Sequence, residues 1–104
     1  MATSLDYIQF VCEQLHTPFP VYYKKMFGEY MIYVNDKPIL LVCDNTVYVK
    51  KLEVLKDIMN NSACGIPYKG AKEHYILDVE EVELTSKVIE LLEKNTIQKK
   101  RKTK

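Results

Sequence analysis

The chain has 104 residues, 47% of them hydrophobic, with 15 Lys+Arg against 14 Asp+Glu. That is apolar material for one core in a length too short for two, and the absence of any run of about 18 apolar residues excludes a helical membrane span. The net charge of +1 hides a segregation, because residues 96–104, TIQKKRKTK, hold five of the 15 cations and no carboxylate, leaving 10 cations against 14 anions and a net −4 in residues 1–95. A body of that sign binds phosphate backbone poorly, so any nucleic-acid affinity is expected in the tail.

Asp6 and Gln9 interrupt the apolar residues that follow Met1, so no export signal is expected and the chain is placed in the cytoplasm. Cys12, Cys43 and Cys64 are odd in number, far apart and without a CxxC pair, which suggests reduced thiols rather than a disulfide framework or a zinc knuckle.

In residues 4–15, Leu5, Ile8, Val11, Cys12 and Leu15 recur at spacings of three and four, the stripe of an amphipathic helix, with Thr3 and Asp6 as an expected capping box. Pro18 and Pro20 end it. Residues 26–34, 39–43 and 46–50 are expected to be strands, rich in Tyr, Val, Ile and Leu and joined at Asn35-Asp36 and Asp44-Asn45, residues that tolerate positive φ. Alternation through those turns puts Tyr30, Ile32, Ile39, Leu41, Cys43 and Tyr48 on one face and Met31, Tyr33, Leu40, Val42, Val47 and Val49 on the other. Both faces are apolar, so the second is expected to be covered by a helix, a folded-over segment or a second copy of the chain.

A helix is predicted from Lys51, with Leu52, Leu55, Ile58 and Met59 on one side, ending at Asn60-Asn61-Ser62. After a loop in which residues 66–69 could pair briefly as an edge, residues 74–79 are expected to form a strand. A last helix to about Asn95 opens with Asp78 and Glu81 as its capping signal and buries Leu84, Val88, Leu91 and Leu92. The expectation is an α+β fold, a two-layer sandwich with an antiparallel sheet and the order α-β-β-β-α-β(β)-α. Residues 1–95 form its one domain, and residues 96–104 are a basic tail expected to be disordered.

Nothing in the pattern calls for catalysis. Cys12 lies on a helical stripe and Cys43 in an apolar strand, where each serves as a small hydrophobe, and only Cys64 could meet His74 as a nucleophile and base. His16 and His74 stand too far apart, with no nearby thiolate pair, to suggest a metal site. Glu80, Glu81 and Glu83 suit a helix N-terminus, and Gly28, Gly65 and Gly70 are too scattered for a phosphate loop. No catalytic residue, metal or cofactor is expected. Phe27, Tyr30 and Tyr33 beside Gly28 suggest a base-stacking strand, but Glu29 and the element order argue against one.

Met26-Phe27-Gly28-Glu29-Tyr30, the strand pair ending in Tyr48-Val49-Lys50, and Pro67-Tyr68-Lys69-Gly70-Ala71-Lys72 together resemble the N-terminal domain of the TfoX/Sxy family of competence regulators, over about residues 20–95. The resemblance implies a two-layer domain similar in fold to the secretion chaperones, and a bacterial role in regulating DNA-uptake genes alongside the cyclic-AMP receptor protein. It brings no catalytic or metal-binding residue. TIQKKRKTK stands where the full-length regulators continue into a second domain, so a stand-alone domain is expected.

The function expected is therefore a non-enzymatic, regulatory protein-interaction domain whose partner is another protein, such as a transcription regulator, or a second copy in a homodimer. Phe27, Gly28, Tyr30, Tyr68, Gly70 and Lys72 are its candidate contacts, since a strand entry and a Pro/Gly loop present side chains on rigid supports. The alternative is a nucleic-acid accessory protein that uses Lys99, Lys100, Arg101 and Lys102 as a polyanion-binding tail.

Overall fold

Two tight turns set the frame of the sheet. In the computed structural model, which describes residues 3–26 and 29–96, Asn35 and Asp36 have φ of 55° and 62°, and Asp44 and Asn45 of 51° and 55°. Positive φ at both central residues marks the type I′ hairpin turn, whose twist matches that of the strands it joins. The hairpins so fixed are β2 (Glu29–Val34) with β3 (Lys37–Cys43), and β3 with β4 (Thr46–Val49). The remaining elements are α1 (Leu5–Glu13), β1 (Val21–Met26), β5 (Cys64–Gly65), β6 (His74–Ile76) and α2 (Val82–Asn95).

All strand pairs are antiparallel, in the order β1-β2-β3-β4-β6-β5. The fold is α+β: one antiparallel sheet with two helices. Ile8 and Val11 of α1, Val88, Ile89 and Leu92 of α2, and Leu55 and Met59 close over one face, where they meet Tyr30, Ile32, Leu40, Val42, Val47, Val49 and Tyr75 in a single core.

The register corrects the expected faces. From the Asn35-Asp36 turn, Tyr33 pairs with Pro38, but Ile32 pairs with Leu40, so Ile39 is one extra residue in β3. That β-bulge advances β3 by one position relative to β2, and because side chains alternate with period two it exchanges which β3 residues share a face with Ile32. Tyr30 and Ile32 therefore lie with Val42 and Leu40, while Met31 lies with Leu41. The expected β3–β4 relation holds, since Leu41 pairs with Tyr48 and Val42 with Val47.

Three further expectations change. The first predicted strand divides, because Met26 ends β1 and Glu29 begins β2. Val21–Met26 has no clean alternation, and it becomes a strand by pairing with all of β2, from Val21 opposite Val34 to Met26 opposite Glu29. The predicted helix at Lys51 is a single 3-10 turn, Glu53–Leu55, followed by turns to Asn61. No side chain caps its start; Lys56 N–H donates to Glu53 O and Ser62 N–H to Met59 O in the tighter i→i+3 pattern, with one i→i+4 bond, Met59 N–H to Leu55 O, between them. Its apolar spacing nevertheless marked the burial, as Leu55 and Met59 are fully enclosed. The brief edge is Cys64–Gly65 instead of residues 66–69. A Cβ at Gly65 would lie 3.2 Å from Ile76 Cδ1 and 3.3 Å from Tyr48 Cε1, so the missing side chain lets this edge close against them.

Both capping signals also take other roles. Ser4 caps α1, its Oγ accepting from Tyr7 N–H at 3.1 Å. Thr3 Oγ1 instead reaches Glu29 Oε1 at 2.7 Å and accepts from Asn45 N–H at 3.1 Å. Glu29 Oε1 also accepts from Asp44 N–H at 3.1 Å, so one carboxylate ties the start of α1 to the entry of β2 and the β3–β4 turn. Asp78 Oδ1 accepts from Glu80 N–H at 3.0 Å in the turn before α2, whose own N-cap, Glu81, makes no side-chain cap. At the other end of α2, Glu93 Oε2 accepts from Asn35 Nδ2 and Lys37 Nζ, both at 2.9 Å, and locks the β2–β3 turn to the helix. The Asn35 bond first, then Lys37, hold the Glu93 carboxyl below its ordinary value.

Candidate interaction surface

The helices cover the inner face alone. On the outer face the register builds a row straight across five strands: Lys24 opposite Met31, Met31 opposite Leu41, Leu41 opposite Tyr48, and Tyr48 opposite Ile76. Met31, Leu41, Tyr48 and Ile76 are only half-buried. Beside them Tyr22 and Tyr33 stack with ring centroids 5.1 Å apart, and Lys24 Nζ stands 5.3 Å from the Tyr33 centroid. The Tyr22 hydroxyl donates to Asp36 Oδ1 at 2.9 Å, and that bond, ahead of desolvation, holds its pKa above the ordinary value.

The loop between β5 and β6 brings Tyr68 into a groove with Met31, Leu41 and Tyr48 of this row. Ala71 N–H donates to Tyr68 O at 3.0 Å and Gly70 has φ +89°, which makes Tyr68–Ala71 a type II turn with glycine where the left-handed residue is needed. His74 Nδ1 lies 2.8 Å from Lys72 O. A carbonyl can only accept, so Nδ1 carries the proton. The His74 ring meets Tyr48 edge-on at 6.3 Å. The turn leaves Tyr68 59% exposed, beside Ile66 at 59%. Met31, Pro38, Leu41, Tyr48, Lys50 and Tyr68 line a groove of about 170 Å³. Small-molecule sites generally need roughly 300–1,000 Å³, so the groove suits one side chain of a larger partner.

Of the expected contact residues, Tyr68, Gly70 and Lys72 share this turn and its flank. Tyr30 does not belong with them. It is 7% exposed and meets Tyr23 edge-on at 5.4 Å in the core, because its strand position shares the inner face with Ile32. Phe27 and Gly28 lie outside the described residues, as do Lys99, Lys100, Arg101 and Lys102 of the tail. Met31, Leu41, Tyr48 and Lys50 are not among the expected contacts. Their apolar character was visible in the sequence, but the bulge decides that Met31 joins Leu41 and Tyr48 on one surface.

The groups tested for chemistry stay apart. Cys64 pairs with Tyr75 and Gly65 with His74, so Cys64 and His74 project from adjacent register positions to opposite faces. Burial first, then Glu29 and Asp44, push the Cys43 thiol up to about 11, and burial also raises Cys12, which leaves both protonated at neutral pH. Lys51 is held by Glu73 at 2.7 Å and lies 5.2 Å over the Tyr75 ring; the Glu73 hydrogen bond is the main cause raising its pKa. Among the described residues no group of three His, Cys, Asp or Glu side chains is placed to hold a metal ion, and no helix is long and apolar enough to cross a membrane.

No family model matches the chain. It is 37% identical over 78 residues to a Spirochaeta aurantia protein described as "Uncharacterized 12.7 kDa protein in trpE 5'region", an alignment that spans 75% of this chain and 68% of the relative. At that identity and coverage, the chain belongs to the same family as the Spirochaeta aurantia protein.

Proposed function

We propose that the chain is a regulatory protein-interaction domain of the bacterial cytoplasm, without catalytic activity, of the kind found at the N-terminus of TfoX-type competence regulators. One observation carries this: the outer row of Met31, Leu41, Tyr48 and Ile76, half-covered and bordered by the exposed Tyr68, on a sheet whose other face is packed beneath the helices. A contiguous apolar strip on one side of a small domain is favourable to cover, and the groove takes a side chain rather than a metabolite. The resemblance to competence regulators supports a transcription regulator as the partner. Self-association through the same face is the other way to cover it.

The test compares the tagged full chain with its Tyr68→Ser variant in affinity capture from extract of its own cells, followed by mass spectrometry, with light scattering for the solution mass. A protein retained by the parent and lost by the variant supports the interaction reading. Identical captures would refute it for this face, and a doubled mass sensitive to Tyr68→Ser would identify a second copy as the cover.

The charge segregation supports a second reading, a nucleic-acid accessory protein anchored by the tail. Deleting residues 96–104 and measuring retention on DNA across a salt series decides it, since unchanged retention removes the tail from consideration.

A further inference from the structure

Lysines flank the groove and its row without forming ion pairs there. Lys24 stands at one end of the outer row, Lys50 lines the groove, and Lys69 and Lys72 belong to the turn and flank that present Tyr68. The ion pairs among the described residues are Lys37–Glu93, Lys51–Glu73, Lys56–Glu53 and Lys94–Glu90, so none of those four lysines has a carboxylate partner among them, although Lys24 lies over the Tyr33 ring. Many exposed acids lie on or beside the helices, among them Asp6 and Glu13 on α1, Asp57 beyond the 3-10 turn, and Glu80, Glu81 and Glu83 at the start of α2; nearer the rim, Asp36 accepts from the Tyr22 hydroxyl and Glu73, next to Lys72, is paired with Lys51. A domain body of net −4 thus turns a cationic rim with an apolar centre toward whatever covers the sheet.

Charge narrows the choice of occupant. A two-fold pairing of this face with itself would bring the same lysine-rimmed patch to both sides, and like charges across an interface are unfavourable. The chain's own tail, with five cations and no carboxylate, is repelled by the same rim. An acidic segment with an apolar anchor complements both the rim and the floor. Single-stranded nucleic acid would also satisfy the lysines. It fits less well, because Tyr33 already has Tyr22 stacked beside it and Lys24 over its ring, Tyr48 is met by His74, and the floor is aliphatic at Met31 and Leu41.

Resting on the interaction reading of the same face, we propose that the outer groove binds an acidic segment of another protein, seating one large apolar or aromatic side chain between Met31, Leu41, Tyr48 and Tyr68 while flanking carboxylates meet Lys24, Lys50 and Lys72. Removing the anchor's pocket should weaken binding through faster dissociation, and reversing a rim charge should weaken it in a salt-dependent way.

A random-peptide phage library selected on the full chain reads the preference directly. The expected outcome is enrichment of peptides with Leu, Phe or Trp beside two or more Asp or Glu. The best of them, made synthetically with a fluorescent label, should lose about tenfold in affinity on Lys50→Glu and again on Tyr68→Ser, a loss of that size being diagnostic of a used contact. Thermal melts of both exposed-site variants check that they stay folded. Neutral or basic selected peptides, or affinities unmoved by Lys50→Glu, would overturn the proposal, as would a labelled oligo-dT that binds more tightly than any peptide and competes with it. Peptides that lose affinity on Tyr68→Ser yet show no acidic preference would overturn the charge assignment alone and leave the interaction reading standing. Peptide affinities indifferent to Tyr68→Ser would remove both.

Discussion

The inner and outer faces of this sheet both carry apolar rows, yet one is packed beneath the helices and the other is half-covered. Leu40 and Leu41 are neighbours in β3. Leu40 is 0% exposed beneath the helices, whereas Leu41 lies half-buried between Met31 and Tyr48 with no helix above it. The difference between these two leucines does not come from hydropathy, which is the same for both. It comes from where α1 and α2 pack, and from the bulge at Ile39 that aligns β2 with β3 so that each face is continuous. Stability resides on the inner face, and the outer row is left half-covered.

Substitutions should separate the faces. Leu40→Ala should cost about 2–5 kcal/mol in urea or thermal unfolding, the range for opening a cavity in a packed core, while Leu41→Ala should cost roughly 1 kcal/mol because less of the side chain is removed from a dry environment. Equal losses would mean that the outer face is packed as tightly as the inner one. Thr3→Val should cost roughly 1–3 kcal/mol by urea unfolding, since it strips hydrogen bonds from a carboxylate and from Asn45 N–H at the point where α1 joins the sheet. A neutral outcome would show that Glu29 holds the β3–β4 turn without it.

Gly70→Ala should lose about 1 kcal/mol, from backbone strain alone, because φ is +89° and a Cβ there would meet nothing within 4 Å. Its larger effect should be on binding, through displacement of Tyr68, as titration with a selected peptide would detect.

Acid should act on the inner side first. The Glu93 carboxyl is held below its ordinary value of 4.5 by Asn35 and Lys37, so its contribution to stability is complete above that value and is lost as the pH falls through the lower folded-state value. Thermal melts should fall on acidification below about 4.5 in the parent, and the fall should be shallower in Lys37→Gln. Matching slopes would place the acid sensitivity elsewhere. The smallest stability change is expected for Tyr68→Ser, within about 0.5 kcal/mol as for most exposed positions, although this substitution should reduce partner binding most selectively.

Much of the architecture was legible because it rests on local chemistry. Asn35-Asp36 and Asp44-Asn45 announce their turns through residues that accept positive φ, and the spacing of Ile8 and Val11, or of Val88 and Leu92, marks helices by the side that must be dry. The candidate contact surface was only partly legible: the Pro-Tyr-Lys-Gly turn stands out in the sequence, but Tyr30, expected as a contact at a rigid strand entry, faces the core. Glu29 looked like an obstacle to a site and is instead a structural clasp.

What the sequence determined by itself is the set of elements whose stabilising interactions lie within a few residues: the hairpin turns, the two amphipathic helices, and the apolar runs that become β3 and β4. Only the tertiary structure decided the rest, because each of those features depends on a distant partner. β1 is a strand because β2 lies beside it, and the segment after Lys51 tightens into a 3-10 turn as it buries Leu55 and Met59. A single inserted residue, Ile39, fixes the register of β2 on β3 and thereby determines that Met31, Leu41 and Tyr48 form one open surface.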